Sequence, residues 1–222
     1  MVEAVLRPRR RRASDAMAAA AAGYAALGWP VCAGAPLRDR QPQRGALGRA
    51  CSCDRVGCPA PGAHPLSPAW QREATADPVV VARWWSTVPQ ASVLLVTGRT
   101  FDVLDAPWPA GSIALTRLER AGIRPGPVAI GAQDRALFFV TSRTALADED
   151  EWWSCHLDCE PETVPAVTGL RWHCRDSYVL APPSRVSAGP AARWLVRPGA
   201  ATLPDPLRLL EFLADACEEI GQ

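Results

Sequence analysis

The sequence predicts an α+β fold, in which strand pairs and helices are mixed along the chain. Two observations support this fold class. Apolar runs of strand length are separated by short turns, as in hairpins. Segments with the helical spacing of apolar residues stand between these runs and near the end of the sequence. No internal repeat is present.

We predict a disordered basic tail over residues 1–13 and a first helix over residues 14–28. The tail is rich in arginine, whereas the helix has Ser14 or Asp15 as its cap and Gly28 at its end. A secretory signal peptide is the alternative, because basic residues precede an apolar segment. That segment consists mostly of alanine, which is weakly hydrophobic, and so the helix is favoured.

The next elements are a short strand over Trp29–Cys32 and a long irregular stretch over residues 33–76. The stretch is rich in Gly, Pro, Arg and Cys, and so long a loop is uncommon in a compact domain unless a cross-link holds it in place. A bound metal ion would provide such a cross-link. A helix follows, with Asp77 as its cap and Pro78 in its first turn.

The apolar run Ser92–Thr97 predicts a strand that is buried on both faces. A turn at Gly98 would join it to a second strand over Phe101–Leu104, so that the two form a hairpin. We expect residues 14–222 to form a single domain. Its other elements are a helix over Gly111–Ala121, strands over Val128–Ile130, Ala136–Val140, Leu170–His173, Tyr178–Ala181 and Arg193–Val196, and an amphipathic helix over Pro204–Ile220.

The amino-acid composition excludes few classes of function. The formal net charge is +1, which indicates no particular partner. All 24 basic residues are arginine, and together with abundant Ala, Gly and Pro they indicate a GC-rich bacterial genome. This origin weakens any argument that arginine was selected for phosphate contacts. No run of about 18 apolar residues is present, so we expect a cytoplasmic protein without a membrane-spanning helix.

Cys51, Cys53, Cys58 and His64 are predicted to bind a metal ion. Three thiolates and one imidazole are a usual ligand set for tetrahedral Zn²⁺ and favour it over hard ions such as Mg²⁺. Four protein ligands leave no open position, so the zinc would be structural. The alternatives are a disulfide between two of the cysteines or free thiols. Cys32 is more typical of a small core residue.

Two other groups of side chains have ligand chemistry but no decisive pattern. A second metal site is left open, because its ligand types match no known zinc spacing. Its candidate ligands are Cys155, His156, Cys159, His173 and Cys174. Tryptophans could stack nucleic-acid bases, but helical or strand spacing favours core positions for most of them. They are Trp84, Trp85, Trp152, Trp153, Trp172 and Trp194.

Several segments occur in the order and spacing of a known family. They are Ala21–Val31 (AAGYAALGWPV), Cys51–Pro65 with its C-x-C-x₄-C and HP elements, Ala74–Pro78 (ATADP), Trp84-Trp85, Pro89–Gly98 (PQASVLLVTG) and Tyr178–Ser184 (YVLAPPS). Together they resemble the N-terminal domain of bifunctional DNA primase–polymerases, members of the archaeo-eukaryotic primase superfamily. The resemblance spans about residues 15–200. It implies a primase–polymerase-like core of mixed and antiparallel strands with helices, beside a zinc-binding segment over residues 33–76.

The resemblance also implies nucleotidyl transfer with two divalent metals, Mg²⁺ or Mn²⁺, held by an acidic pair, a histidine and a further aspartate. Asp105 matches the first acid. The second acid position holds Pro107, the histidine position holds Ala136, and the last aspartate falls near Arg171. Because an arginine cannot ligate Mg²⁺, the catalytic positions are degenerate, and enzymatic activity is left open.

Asp102 could supply a second acid beside Asp105 and make this pair the catalytic residues of a rearranged site. Side chains alternate between the faces of a strand, so the two point to opposite sides unless a bulge intervenes. We therefore favour structural roles. Asp105 would cap the turn before Pro107, and Asp102 would be solvated or paired with an arginine.

Candidate phosphate ligands stand at strand ends and turns, where they could bind a nucleotide or nucleic acid. The alternative for the arginines is that they are ordinary surface residues. By family analogy the serine could contact a triphosphate, and its alternative role is to end a strand. These candidates are Arg99, Arg135, Arg171, Arg175, Ser184 and Arg185.

Three hypotheses follow. The favoured one is a primase–polymerase-like pseudoenzyme that binds nucleotide, single-stranded DNA or duplex DNA, or acts as an interaction module. The second is an active DNA primase/polymerase that uses Asp102 and Asp105 with Mg²⁺ or Mn²⁺. The third is a zinc-stabilised scaffold without a role in nucleic-acid binding. No membrane association is expected, and no protein partner is indicated.

Overall fold

The computed structural model describes residues 3–39, 49–53, 55, 58–131, 134–142, 169–186, 189–199 and 202–221. Helices and antiparallel strand pairs occur together in these ranges, so the predicted α+β class is confirmed. Two compact units are present, one over residues 1–96 and 180–192 and the other over residues 97–179 and 193–222. The single domain over residues 14–222 stays a prediction. None of the described helices is both long and apolar enough to cross a membrane.

The first unit is built from helices around a small sheet. Strands β1 and β4 pair antiparallel, with Val31 opposite Leu95, and strands β2 and β3 form a separate pair. The chain re-enters this unit at Leu180, the last residue of β9, which is the third strand of the β1–β4 sheet. The elements are α1 (Glu3–Ala26), β1 (Val31–Gly34), β2 (Leu37–Asp39), β3 (Arg49–Cys51), α2 (Trp70–Glu73), α3 (Pro78–Thr87) and β4 (Ser92–Val96). Strand β9 (Tyr178–Leu180) belongs to this unit only at Leu180.

Helix α1 begins at Glu3, eleven residues before the predicted start at Ser14. The arginine-rich segment predicted as a disordered tail therefore lies within the helix from residue 3 onward. Arginine is a good helix former, and so the arginines extend the alanine-rich helix instead of ending it. The predicted end is close to the observed one, because Gly28 adopts a φ of 74° and its N–H donates to Ala25 O.

Helix α3 begins as its sequence predicts. The Asp77 carboxylate accepts hydrogen bonds from the N–H groups of Val79 and Val80, and Pro78 occupies the first turn. One helix face buries Val81 and Trp85. Strand β4 is buried at all five positions, as expected for a continuous apolar run.

The second unit is a five-stranded sheet covered by two helices. The strand order is β10-β6-β7-β5-β8, and every pair is antiparallel. Helices α4 and α5 pack against the sheet through Leu118, Leu209 and Leu213, all fully buried. The elements are β5 (Phe101–Pro107), α4 (Trp108–Arg120), β6 (Val128–Ile130), β7 (Arg135–Thr141), β8 (Arg171–His173), β10 (Arg193–Val196) and α5 (Pro206–Gly221).

The predicted hairpin of β4 and β5 is wrong. Strand β4 pairs with β1 in the first unit, whereas β5 pairs with β7 and β8 in the second. The turn at Gly98 does form, since its N–H donates to Phe101 O and its φ is 82°. Both edges of β5 are taken by β7 and β8, so no hydrogen-bonding edge remains for β4.

Candidate functional site

The four predicted metal ligands lie together in the first unit. The ligand atoms of Cys51, Cys53, Cys58 and His64 are all within 4.8 Å of one another. A zinc ion with bonds of about 2.3 Å to sulfur holds tetrahedral ligands about 3.8 Å apart, so a small contraction would complete the site. All three cysteines are free in the structure, so their sulfurs are available as ligands. The cluster could therefore hold a metal such as zinc.

The orientation of His64 suits ligation through one nitrogen. Its Nδ1 lies 2.9 Å from Pro65 O, and because a carbonyl only accepts, Nδ1 carries the proton. Its Nε2 then presents a lone pair toward the cluster, 3.1 Å from Cys51 Sγ. A hydrogen bond from the second ring nitrogen is the usual way in which proteins orient a metal-binding histidine.

Backbone contacts fix the loop that carries these ligands. Ala35 N–H donates to His64 O at 2.8 Å, and Leu66 N–H donates to Ala33 O at 2.9 Å, so the loop is paired with β1. Ser92 Oγ donates to Gly62 O at 2.5 Å. The φ of Gly62 is 83°, a left-handed conformation that favours glycine.

The pKa values of the thiols in this cluster depend on the neighbouring thiols. Burial raises the pKa of Cys51, but hydrogen bonds from the backbone of Cys53 and Gly62 and from the Cys53 and His64 side chains lower it to about 6 overall. Burial and the neighbouring thiols raise the pKa of Cys58 to about 11, against the lowering effect of the Ala60 backbone. Adjacent thiolates repel one another, and a divalent cation would offset this repulsion.

In the second unit, β5 separates its two aspartates. The pairing of β5 with β7 runs unbroken from Phe101 opposite Thr141 to Pro107 opposite Arg135, so no bulge interrupts the alternation. Asp102 lies on the face that packs against α4 and α5, where Trp172 Nε1 donates to its Oδ2 at 3.2 Å. Asp105 lies on the other face. The two do not converge. Asp102 is fully buried, so the expectation that it is solvated is wrong, whereas its pairing with an arginine stays a prediction.

Asp105 is held by two basic side chains. Its Oδ1 accepts from Arg135 Nε at 2.5 Å, and its Oδ2 lies 3.2 Å from His173 Nε2. Arg135 also donates through Nη2 to the carbonyl oxygens of Asp105 and Gly169. Asp105 is only 4% exposed. Both carboxylate oxygens thus face protein donors, and the predicted role as a turn cap gives way to a buried ion pair.

His173 continues this network toward Ser177. The Nδ1 atom of His173 lies 3.0 Å from Ser177 Oγ. Because the Asp105 carboxylate only accepts, His173 Nε2 donates to it, and the opposite ring nitrogen is hydrogen-bonded to the Ser177 hydroxyl. We name Asp105, Arg135, His173 and Ser177 the Asp105 cluster. Sequence reasoning missed His173 and Ser177 in this role, and the only signal was the alternation that places Arg171 and His173 on one face of β8.

The other predicted phosphate ligands are divided between the units. Arg171 is directly opposite Asp105 on β8 and is half-buried. Arg99 and Arg175 are exposed on neighbouring turns, where a Cβ at Gly98 would clash with the Arg175 backbone. Arg185 is exposed in the first unit. Their contacts with phosphate stay predictions.

Ser184 lies in the first unit and is fully buried. Its Oγ accepts from Val93 N–H at 2.8 Å, so the hydroxyl satisfies the backbone of β4. Strand β9 ends at Leu180, four residues earlier, so the expectation that Ser184 ends a strand is wrong. Its contact with a triphosphate stays a prediction. Cys155, His156 and Cys159, the proposed core of a second metal site, lie outside the described residues.

Comparison with known proteins bears on both sites. Residues 21–207 match the family described as bifunctional DNA primase/polymerase, N-terminal. The matched range includes the metal cluster and the whole Asp105 cluster. A search of curated proteins found no match. The match covers most of the chain, in agreement with the resemblance of its motifs, and the chain therefore belongs to the family of bifunctional DNA primase/polymerase N-terminal domains.

Proposed function

We propose that this protein is a primase–polymerase family member that binds nucleotide or DNA without catalysing nucleotidyl transfer. The observation that carries the proposal is the pairing of the Asp105 carboxylate with protein side chains. Asp105 is the one acid that matches the family's metal-binding pair. Arg135 and His173 engage its two carboxylate oxygens. A Mg²⁺ ion needs such oxygens as ligands at about 2.0–2.1 Å, and it would have to displace both partners.

The charges around Asp105 support binding of anions. Arg135 neutralises the Asp105 carboxylate through a short ion pair. Arg171 stands opposite Asp105 on β8, so two guanidinium groups share this face with one carboxylate. The excess positive charge would attract phosphate groups, to which guanidinium binds in a bidentate manner. In this proposal arginine supplies the positive charge that metal ions supply in the active enzymes of the family.

The metal cluster has a structural role in the same proposal. Four protein donors would close a zinc site and leave no position for substrate. The ligand loop is paired with β1 through Ala35 and Leu66, so zinc would hold this loop against the sheet of the first unit. Mg²⁺ or Mn²⁺ would be needed only for catalysis. The six described free cysteines are typical of a reducing compartment, which supports a cytoplasmic location.

Primer extension tests the catalytic half of the proposal. The full chain is incubated with primed and unprimed templates, nucleotides, and Mg²⁺ or Mn²⁺, and we expect no incorporation. Incorporation by the wild type that is lost in Asp105→Ala and retained in the exposed control Asp215→Ala would favour the active-enzyme alternative.

Fluorescence anisotropy with a labelled single-stranded oligonucleotide tests the binding half. Affinity is expected to fall steeply with salt, because each neutralised phosphate releases counterions. Arg171→Gln should weaken binding and reduce the salt dependence, whereas Arg120→Gln, an exposed substitution on α4, should change neither. Absence of salt-dependent binding, or equal behaviour of the two variants, would favour the zinc-stabilised scaffold.

A further inference from the structure

A second concave site lies wholly within the first unit, between β1, α2 and α3. Its cavity has a volume of about 260 Å³, and its lining includes Trp70, Glu73, Arg83 and Trp84. Cavities for drug-sized ligands measure about 300–1,000 Å³, so this one suits a smaller molecule. Two indoles and two opposite charges line this small cavity, a combination suited to a flat ring with polar groups.

The tandem tryptophans of α3 have different environments. Trp85 is buried, and its Nε1 donates to Ala91 O at 3.1 Å, so this indole belongs to the core. Trp84, one position earlier on the helix, is half-buried and lines the cavity together with half-buried Trp70. Partly exposed indoles beside a cavity are suited to stacking on a flat ring, as aromatic side chains do on bases in nucleic-acid complexes.

Glu73 and Arg83 provide the polar groups of the cavity. Both are exposed, and within the part of the chain that the structure describes neither takes part in an ion pair. The Glu73 carboxylate is close enough to the buried Cys32, also a lining residue, to add to the effect of burial that raises the pKa of that thiol to about 12. Its negative charge thus acts on the cavity itself.

We infer that this cavity binds a guanine base that carries a phosphate. Among the nucleobases, guanine offers two adjacent N–H donors, at N1 and N2, which match the two oxygens of Glu73. Trp70 and Trp84 would stack on the ring, and Arg83 would pair with the phosphate. The inference goes beyond the proposed function, because it uses no residue of the Asp105 cluster.

The ligand has two sources, a free guanine nucleotide or an unstacked guanine in a single strand. Isothermal titration calorimetry with guanosine monophosphate (GMP), guanosine and adenosine monophosphate (AMP) tests the shared chemistry. Single-site binding of GMP is expected, with AMP about tenfold weaker because adenine lacks the donor pair. Tighter binding of GMP than of a guanine-containing tetranucleotide would identify the free nucleotide, and the reverse order would identify the single strand.

Variants locate the site. Glu73→Gln should weaken GMP about tenfold and leave AMP unchanged, and Arg83→Gln should weaken GMP but not guanosine. The matched controls Glu119→Gln and Arg120→Gln are exposed on α4 and should bind GMP like the wild type. Absence of saturable GMP binding at millimolar concentration, equal affinity for GMP and AMP, or an unchanged Glu73→Gln variant would overturn the inference.

One further variant separates this inference from the proposed function. Arg171→Gln alters the Asp105 face in the second unit and should leave GMP binding intact. If Arg171→Gln changes neither GMP binding nor DNA binding, the proposed role of the Asp105 face is refuted, and the assignment of the cavity stands. Loss of GMP binding in Arg171→Gln would refute the cavity assignment instead.

Discussion

Replacement of Arg135 by methionine should destabilise the second unit more than any exposed ion-pair substitution does. Arg135 and Asp105 form an ion pair whose side chains are only 16% and 6% exposed. Arg135→Met removes the charged partner and leaves the carboxylate with His173 alone. Breaking a buried pair from one side costs about 3–5 kcal/mol, and we expect the lower end because the His173 contact remains.

A thermodynamic cycle separates the ion pair from the lost packing. Asp105→Asn removes the buried charge, so Arg135→Met made in that background should cost less than in the wild type, with a coupling energy of about 1–3 kcal/mol. Urea unfolding followed by circular dichroism gives the free energies of unfolding. The matched control is Arg117→Met, which breaks the ion pair with Glu219, whose partners are 36% and 54% exposed. Solvent screening limits that cost to about 1 kcal/mol or less.

Two results would refute the reasoning. If Arg135→Met cost no more than Arg117→Met, the carboxylate of Asp105 would not depend on its guanidinium partner. If the double variant lost the sum of the two single losses, Arg135 and Asp105 would not be coupled, and the main support for an inactive site would fall.

Three further predictions follow from single contacts. Purified protein should contain about one zinc per chain, and Cys58→Ser should lower both the metal content and the melting temperature, whereas an unchanged metal content would contradict the site. Ser184→Ala should cost about 1–3 kcal/mol in urea unfolding because it leaves Val93 N–H without its 2.8 Å acceptor, and Ser112→Ala, which removes only an exposed hydrogen bond to Pro109 O on α4, should cost less. Asp77→Ala should cost about 1 kcal/mol through loss of the α3 cap, and no change would show that the cap contributes nothing.

Local patterns in the sequence predicted those parts of the molecule that short-range physics decides. The cap at Asp77 was predicted correctly, and the strand predicted over Ser92–Thr97 is observed over Ser92–Val96, because each depends on residues within one turn or one strand. The metal cluster was predicted for the same reason, since its ligands lie between Cys51 and His64. The alternation that places Asp102 and Asp105 on opposite faces is also a local property of one strand.

Long-range pairing decided the rest. A turn at Gly98 suggested a hairpin, but the partners of β5 are β7 and β8, which local sequence does not specify. Helical and strand spacing favoured core positions for most of the tryptophans, and of the tandem pair only Trp85 is buried. Burial of a helix residue depends on which elements pack against its side of the helix.

The sequence by itself determined the order of the family's motifs and a compact set of candidate metal ligands between Cys51 and His64. Only the tertiary structure decided what became of Asp105. Its partners Arg135 and His173 are 30 and 68 residues away in the chain, and they meet at Asp105 because β5 lies between β7 and β8. A buried carboxylate must be paired, and which residues pair with it depends on the order of strands in the sheet, which no local pattern contains.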